Sequence, residues 1–121
     1  MKKLALSLVL VASVVTACSS SDDGGSSGGA ATNEITVTSN TFTPATLTIK
    51  VGETVTWKWA GGTHNVVSGA SCTSDNAYTS GAPTSTVGNV FTHTYTTAGQ
   101  FPYFCNPHCS NSAMQGVITV Q

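Results

Sequence analysis

Charged residues are scarce in this chain of 121 residues. Lys, Arg, Asp and Glu make up 7% of it, against about a quarter in a typical soluble domain. Arginine is absent altogether, and the formal net charge is −1. A protein that binds nucleic acid through its phosphates needs a basic face. We therefore predict that this protein does not bind nucleic acid.

A helical period of apolar residues is also missing, whereas the residues of strands and turns are plentiful. The chain has twelve glycines and twenty threonines. Val55, Trp57 and Trp59 alternate with polar residues, and four further segments alternate in the same way before a last apolar run at residues 116–120. This period of two is typical of strands with one buried face. The sequence predicts an all-β sandwich of about seven to eight short strands.

The N-terminal end has the layout of an export signal. Two lysines precede an apolar run of about twelve residues, shorter than the roughly 20 residues that span a bilayer. The run ends in Val15-Thr16-Ala17-Cys18, which resembles the lipobox of bacterial lipoproteins. The resemblance implies that residues 1–17 are removed as a signal peptide and that the Cys18 thiol carries diacylglycerol. An ordinary secretory signal followed by a chance cysteine is the alternative.

Two further segments follow this signal. Residues 18–33 begin with the lipidated cysteine and continue as a tether rich in Ser and Gly, with a reach of about 20 Å for such a flexible chain. Residues 34–121 form the folded domain. Export implies an oxidising compartment in which disulfides persist, and processing would leave two lysines against five carboxylates, a net charge of −3.

Soft metal ligands are concentrated near the C-terminus. Cys105, His108 and Met114 lie within ten residues, in a segment between two predicted strands. A thiolate with an imidazole suits zinc or copper, and a thioether favours copper because it is a poor zinc ligand. His64, about forty residues upstream at the start of an apolar run, is the candidate second imidazole.

These motifs resemble the cupredoxins, the small blue copper proteins of the plastocyanin and phytocyanin kind. The resemblance covers residues 35–120 and rests on Val51-Gly-Glu-Thr-Val-Thr-Trp, Thr63-His-Asn-Val-Val and the segment 105–114. It implies a Greek-key β-sandwich and one copper ion held by His64, Cys105, His108 and, axially, Met114. It also implies that Asn65 joins the two ligand loops. Five residues separate His108 from Met114, more than the four or fewer common in these families.

The phytocyanin resemblance extends to the remaining cysteines. In that family the cysteine after the ligand histidine pairs with an earlier loop cysteine, which implies a Cys72–Cys109 disulfide here. The four cysteines then have three roles: lipid at Cys18, copper at Cys105 and the disulfide. His93, in the middle of a predicted strand, is interpreted as structural.

The function implied is that of a membrane-tethered, monomeric one-electron carrier between redox proteins outside the cytoplasm, and not an enzyme. A periplasmic copper-binding or delivery protein is the alternative, although clusters of Met or His are missing. A metal-free adhesion or scaffold sandwich would explain the strands but not the ligand set. Ser19 after the lipidated cysteine is compatible with the periplasmic face of the outer membrane in a Gram-negative cell, and surface anchoring in a monoderm cell is the other reading.

Overall fold

The computed structural model describes residues 32–121. The signal peptide, the lipidation at Cys18 and most of the tether were predicted for residues that lie outside this range. Within it, the chain is all β apart from two 3₁₀ helices of three residues each, Asn106–His108 and Ser112–Met114. None of the helices in the described part is long and apolar enough to cross a membrane.

The all-β sandwich is confirmed, with nine strands in the described range where the sequence predicted seven to eight. They are β1 (Glu34–Thr38), β2 (Thr41–Thr43), β3 (Thr46–Ile49), β4 (Thr54–Trp59), β5 (Val67–Ala70), β6 (Thr73–Thr79), β7 (Val90–Thr94), β8 (Gly99–Phe104) and β9 (Gln115–Val120). The number of strands differs because some of them give no clear alternation of apolar and polar residues in the sequence. β2 has three residues, β5 contains a glycine, and all but one residue of β6 are exposed.

The strands form two mixed sheets. One has the order β2-β1-β4-β7 and the other β3-β9-β8-β5-β6. The pairs β1–β4 and β3–β9 are parallel, whereas the others are antiparallel. Inward residues of both sheets make one apolar core, and Trp57 lies in it with ring centroids 5.4 Å from Tyr103 and 5.6 Å from Phe91.

The strand directions decide which loops meet. β8 ends beside the start of β9, with Phe104 opposite Gln115, and β5 begins beside the same end of β8, with Val67 opposite Phe104. The segment before β5 and the segment between β8 and β9 therefore emerge at one end of the sandwich. We call this end the ligand pole, because it carries His64 and residues 105–114.

Candidate metal centre

Each predicted trigonal ligand is placed by the end of a strand. His64 belongs to the loop between β4 and β5, where its backbone forms an isolated antiparallel bridge with Thr84. Cys105 directly follows β8, and His108 ends the first 3₁₀ helix. The ligand atoms of these three residues all lie within 4.8 Å of one another.

The donor atoms of this cluster lie at distances that one metal ion would impose. The Cys105 Sγ atom lies 3.6 Å from Nδ1 of His64 and 3.5 Å from Nδ1 of His108. A metal bonded at about 2.3 Å to sulfur and about 2.0 Å to nitrogen would separate these atoms by roughly 3.5–3.8 Å, at angles between tetrahedral and trigonal. The observed spacing therefore fits an ion held by one thiolate and two imidazoles.

The chemistry of the donor set fits copper. A thiolate and two imidazoles form the trigonal ligand set of blue copper sites, to which a thioether is added as a weak axial ligand. Met114, the residue expected in that role, is 0% exposed. Its backbone carbonyl accepts a hydrogen bond of 3.0 Å from the Cys105 N–H. The chain therefore comes back beside Cys105 after it has passed His108. The assignment of Met114 as the axial ligand stays a prediction.

Burial shifts the pKa of Cys105 and that of His64. It raises the pKa of the Cys105 thiol, while the backbone N–H groups of Asn65 and His108 act in the opposite direction because they favour the thiolate. Burial also lowers the pKa of His64, and the nearby imidazole of His108 lowers it further. A neutral His64 keeps a lone pair free for a metal, as ligation requires.

Asn65 joins the two ligand loops, as the resemblance implied. Its side-chain Oδ1 accepts a hydrogen bond of 2.8 Å from the Asn106 N–H, and its Nδ2 donates to the Gly81 carbonyl over 3.0 Å. The residue is 4% exposed. Both ends of the amide are therefore satisfied in a buried position between His64 and Cys105.

A second contact holds the loop that carries His64, and it comes from the end of β4. The indole Nε1 of Trp59 donates a hydrogen bond of 3.1 Å to the His64 carbonyl. The sequence marked Trp59 only as part of an apolar strand face. A polar partner for a buried indole N–H is an ordinary requirement, but which carbonyl accepts it depends on the folded path of residues 60–66.

The loop that carries Cys105 and His108, which we call the C-terminal ligand loop, is also held by contacts outside the metal cluster. A disulfide joins Cys109 to Cys72 in the turn between β5 and β6, across 37 residues of sequence. In the chain-entropy description a loop of this length contributes about 3–4 kcal/mol. Gln115, a residue that the sequence did not single out, donates from Nε2 to the Cys109 carbonyl over 2.6 Å. Both contacts hold the residue that follows His108.

The third histidine lies outside the cluster. His93, on β7, stacks on Tyr78 with ring centroids 4.2 Å apart and meets the Tyr95 ring edge-on at 4.7 Å. The two tyrosine hydroxyls are themselves hydrogen-bonded at 2.7 Å. This aromatic contact between β6 and β7 agrees with a structural role for His93.

The sequence is similar to known proteins over the residues that carry the candidate site. The sequence profile described as copper binding proteins, plastocyanin/azurin family, matches residues 30–121. Plastocyanin of Scenedesmus fuscus is 40% identical over 90 residues, covering 66% of this chain and 86% of that protein. Halocyanin of Natronomonas pharaonis is 38% identical over 82 residues, covering 66% of this chain and 48% of that protein. The chain thus spans about half the length of the halocyanin.

Solved structures share the architecture. A purple cupredoxin from Nitrosopumilus maritimus superposes with a TM-score of 0.62 at 26% identity, covering 73% of this chain and 98% of that one. An oxidised methionine-to-leucine mutant of amicyanin gives a TM-score of 0.60 at 27% identity, over 73% of this chain and 80% of that one.

The Asn65 bridge generates a test of how the two loops are coupled. Asn65→Ala removes two part-buried hydrogen bonds, to the Asn106 N–H and the Gly81 carbonyl, at a combined cost of about 1–3 kcal/mol. We expect a lower thermal midpoint and faster loss of bound metal to a chelator. Ser110→Ala, which deletes an exposed polar group from the same loop, is the control and should match the wild type. Equal midpoints for Asn65→Ala and wild type would contradict the bridging role.

Proposed function

Because this chain belongs to the plastocyanin/azurin family of copper-binding proteins, we propose that it carries single electrons between redox proteins outside the cytoplasm. One observation carries the proposal: a buried cysteine sulfur lies 3.5 and 3.6 Å from two imidazole nitrogens. We assign His64 Nδ1, Cys105 Sγ and His108 Nδ1 as trigonal ligands and Met114 as the axial one. When bound there, copper supplies one-electron chemistry between Cu(I) and Cu(II).

The protein's own residues favour rapid electron transfer by holding the ligands still. Trp59 and Asn65 fix the loop of His64, while the disulfide and Gln115 fix the residue after His108. A ligand set that is held before the electron arrives needs little rearrangement when it leaves. The full burial of Cys105 and the 1% exposure of His64 keep water away from these two donors, so the site has no opening for a substrate on their side.

His108 provides the contact with the outside. It is the half-buried member of a ligand cluster whose other two residues are buried. The short path from an electron partner to the metal therefore passes through the imidazole edge of His108 at the ligand pole.

The ligand pole carries no charged side chain in the described residues. Loops 60–66, 80–89 and 105–114 contain none. The five charged residues of the described range lie on strands or at the other end of the sandwich, and they are Glu34, Lys50, Glu53, Lys58 and Asp75. We propose that the redox partner docks on this pole through uncharged contacts, since steering requires a local field.

The location of the carrier is proposed from the N-terminal residues. Lipidation at Cys18 would hold a monomeric domain at the outer face of a membrane through the tether of residues 18–33. The compartment would be the periplasmic face of the outer membrane in a Gram-negative cell. The domain would then search for partners within the tether's reach of about 20 Å.

Copper binding is the first test of this function. Cu(II) added to the purified protein should bind at one ion per chain and produce an intense visible charge-transfer band from the thiolate. Cys105→Ser should abolish the band and leave the fold intact, because it removes the soft, charged ligand. His93→Gln, which changes the histidine outside the cluster, should keep it. A colourless wild-type complex would contradict the assignment.

The uncharged pole predicts weak salt dependence of electron transfer. Rates with hexacyanoferrate, an anionic redox reagent, should change little as the screening length falls from about 30 Å at 0.01 M to about 3 Å at 1 M salt. Ser110→Lys, beside His108, should introduce a clear salt dependence by attracting the anion. Thr96→Lys, which follows β7 at the opposite end, should not. A steep dependence in the wild type would show that distant charges steer docking.

The anchor is tested by the fate of residue 18. The mature protein should begin at Cys18, partition into detergent and carry a mass increase for the lipid. Cys18→Ala should stay uncut or be released, because the thiol that accepts diacylglycerol is gone. Wild-type protein found in the aqueous phase with another N-terminus would refute lipidation while leaving the copper site unaffected.

A further inference from the structure

A closed ring of four backbone hydrogen bonds runs through the C-terminal ligand loop. The N–H of His108 donates to the Cys105 carbonyl at 3.2 Å, that of Asn111 to His108 at 2.9 Å and that of Met114 to Asn111 at 2.9 Å. The N–H of Cys105 then donates to the Met114 carbonyl at 3.0 Å. The four residues are spaced by three, and Asn111 alone among them is not an assigned ligand.

This ring of hydrogen bonds explains how the five residues between His108 and Met114 can bring Met114 back towards the other ligands. Each of its first three bonds closes a turn of the 3₁₀ type, in which residue i bonds to residue i+3. The loop therefore spans the distance from His108 to Met114 in two complete turns that meet at Asn111. Whole turns bring Met114 back to Cys105, where β8 and β9 begin to pair.

The Asn111 side chain holds the second of these turns. Its Oδ1 accepts a hydrogen bond of 3.0 Å from the Ala113 N–H, which makes Asn111 the N-cap of the helix Ser112–Met114. Its Nδ2 contacts the Asn40 carbonyl at 3.4 Å, in the turn between β1 and β2. A helix of three residues has few backbone bonds of its own, so the cap is a large share of what orders it.

We propose that Asn111 is the positioning residue for Met114: its cap fixes the last turn of the ligand loop and so sets where the thioether lies relative to the trigonal ligands. The proposal rests on the proposed function in the part that makes Met114 an axial ligand. It extends that function by assigning the adjustment of the site to an exposed residue that does not touch the metal. Since an axial ligand tunes the redox properties of such a site, the cap would tune them indirectly.

Three variants test the cap. Asn111→Ala deletes the acceptor without opening a cavity, because the residue is exposed. Asn111→Ser restores a neutral side-chain oxygen that is equally suited to an N-cap. Ser112→Ala changes the neighbouring exposed residue of the same helix and is the matched control.

Three readouts separate positioning from general stability. In the metal-free protein, amide hydrogen exchange at Ala113 should be about fivefold faster in Asn111→Ala, the change expected for loss of one cap. In the diamagnetic Cu(I) protein, the Met114 methyl resonance should move, and the reduction potential should shift with it. Asn111→Ser should return all three towards the wild type, and Ser112→Ala should leave them in place.

Contrary results would be equally clear. An unchanged Met114 methyl resonance in Asn111→Ala, an equal displacement in Ser112→Ala or failure of Asn111→Ser to restore it would each overturn the proposal. If the wild type fails to bind copper, the proposed function fails. The exchange rates of the metal-free protein would then still decide whether Asn111 orders the turn that carries Met114.

Discussion

A thiol that must ionise while fully buried is the constraint on which the rest of this structure depends. Taking a thiolate out of water is costly unless charge or hydrogen bonds replace the lost solvent. Around Cys105 the replacement comes from backbone N–H groups of both ligand loops, and a bound metal cation would add to it. These partners come from segments about forty residues apart. The sandwich has to hold the two segments in register before a metal arrives.

The fastenings of the site follow from this requirement. Asn65 bonds one loop to the other, Trp59 supports the His64 carbonyl, and the disulfide ties the residue after His108 to a distant turn. A domain of about ninety residues has a small core, so each fastening adds rigidity that apolar burial alone would supply weakly. Polar contacts supply it here at defined points. The Trp59 bond is buried, the Asn65 bonds are part-buried and the disulfide is covalent, so competing water has limited access to them.

The distribution of charge complements the closed site. The charged residues of the described range lie on strands and at the far end of the sandwich. The ion pair between Glu34 and Lys58, at 2.7 Å, lies on an outer sheet face. The ligand pole is left with glycine, threonine, asparagine and proline around His108. Water can leave such a surface without the cost of removing the hydration of charged side chains. Under the proposed function, it suits brief contacts with redox proteins that separate after each electron.

The sequence by itself determined the sheet class and the kind of metal site. Alternation in Val55, Trp57 and Trp59 requires a strand with one buried face, and a cysteine and histidine three residues apart with a nearby methionine define a soft donor set. It could not reveal β5 and β6, because glycine and exposed polar residues leave no periodic signal there. The tertiary structure decided which carbonyl receives the Trp59 indole and how Asn111 and Gln115 hold the ligand loop. Those contacts depend on where separate chain segments cross in space, and local periodicity carries no information about such crossings.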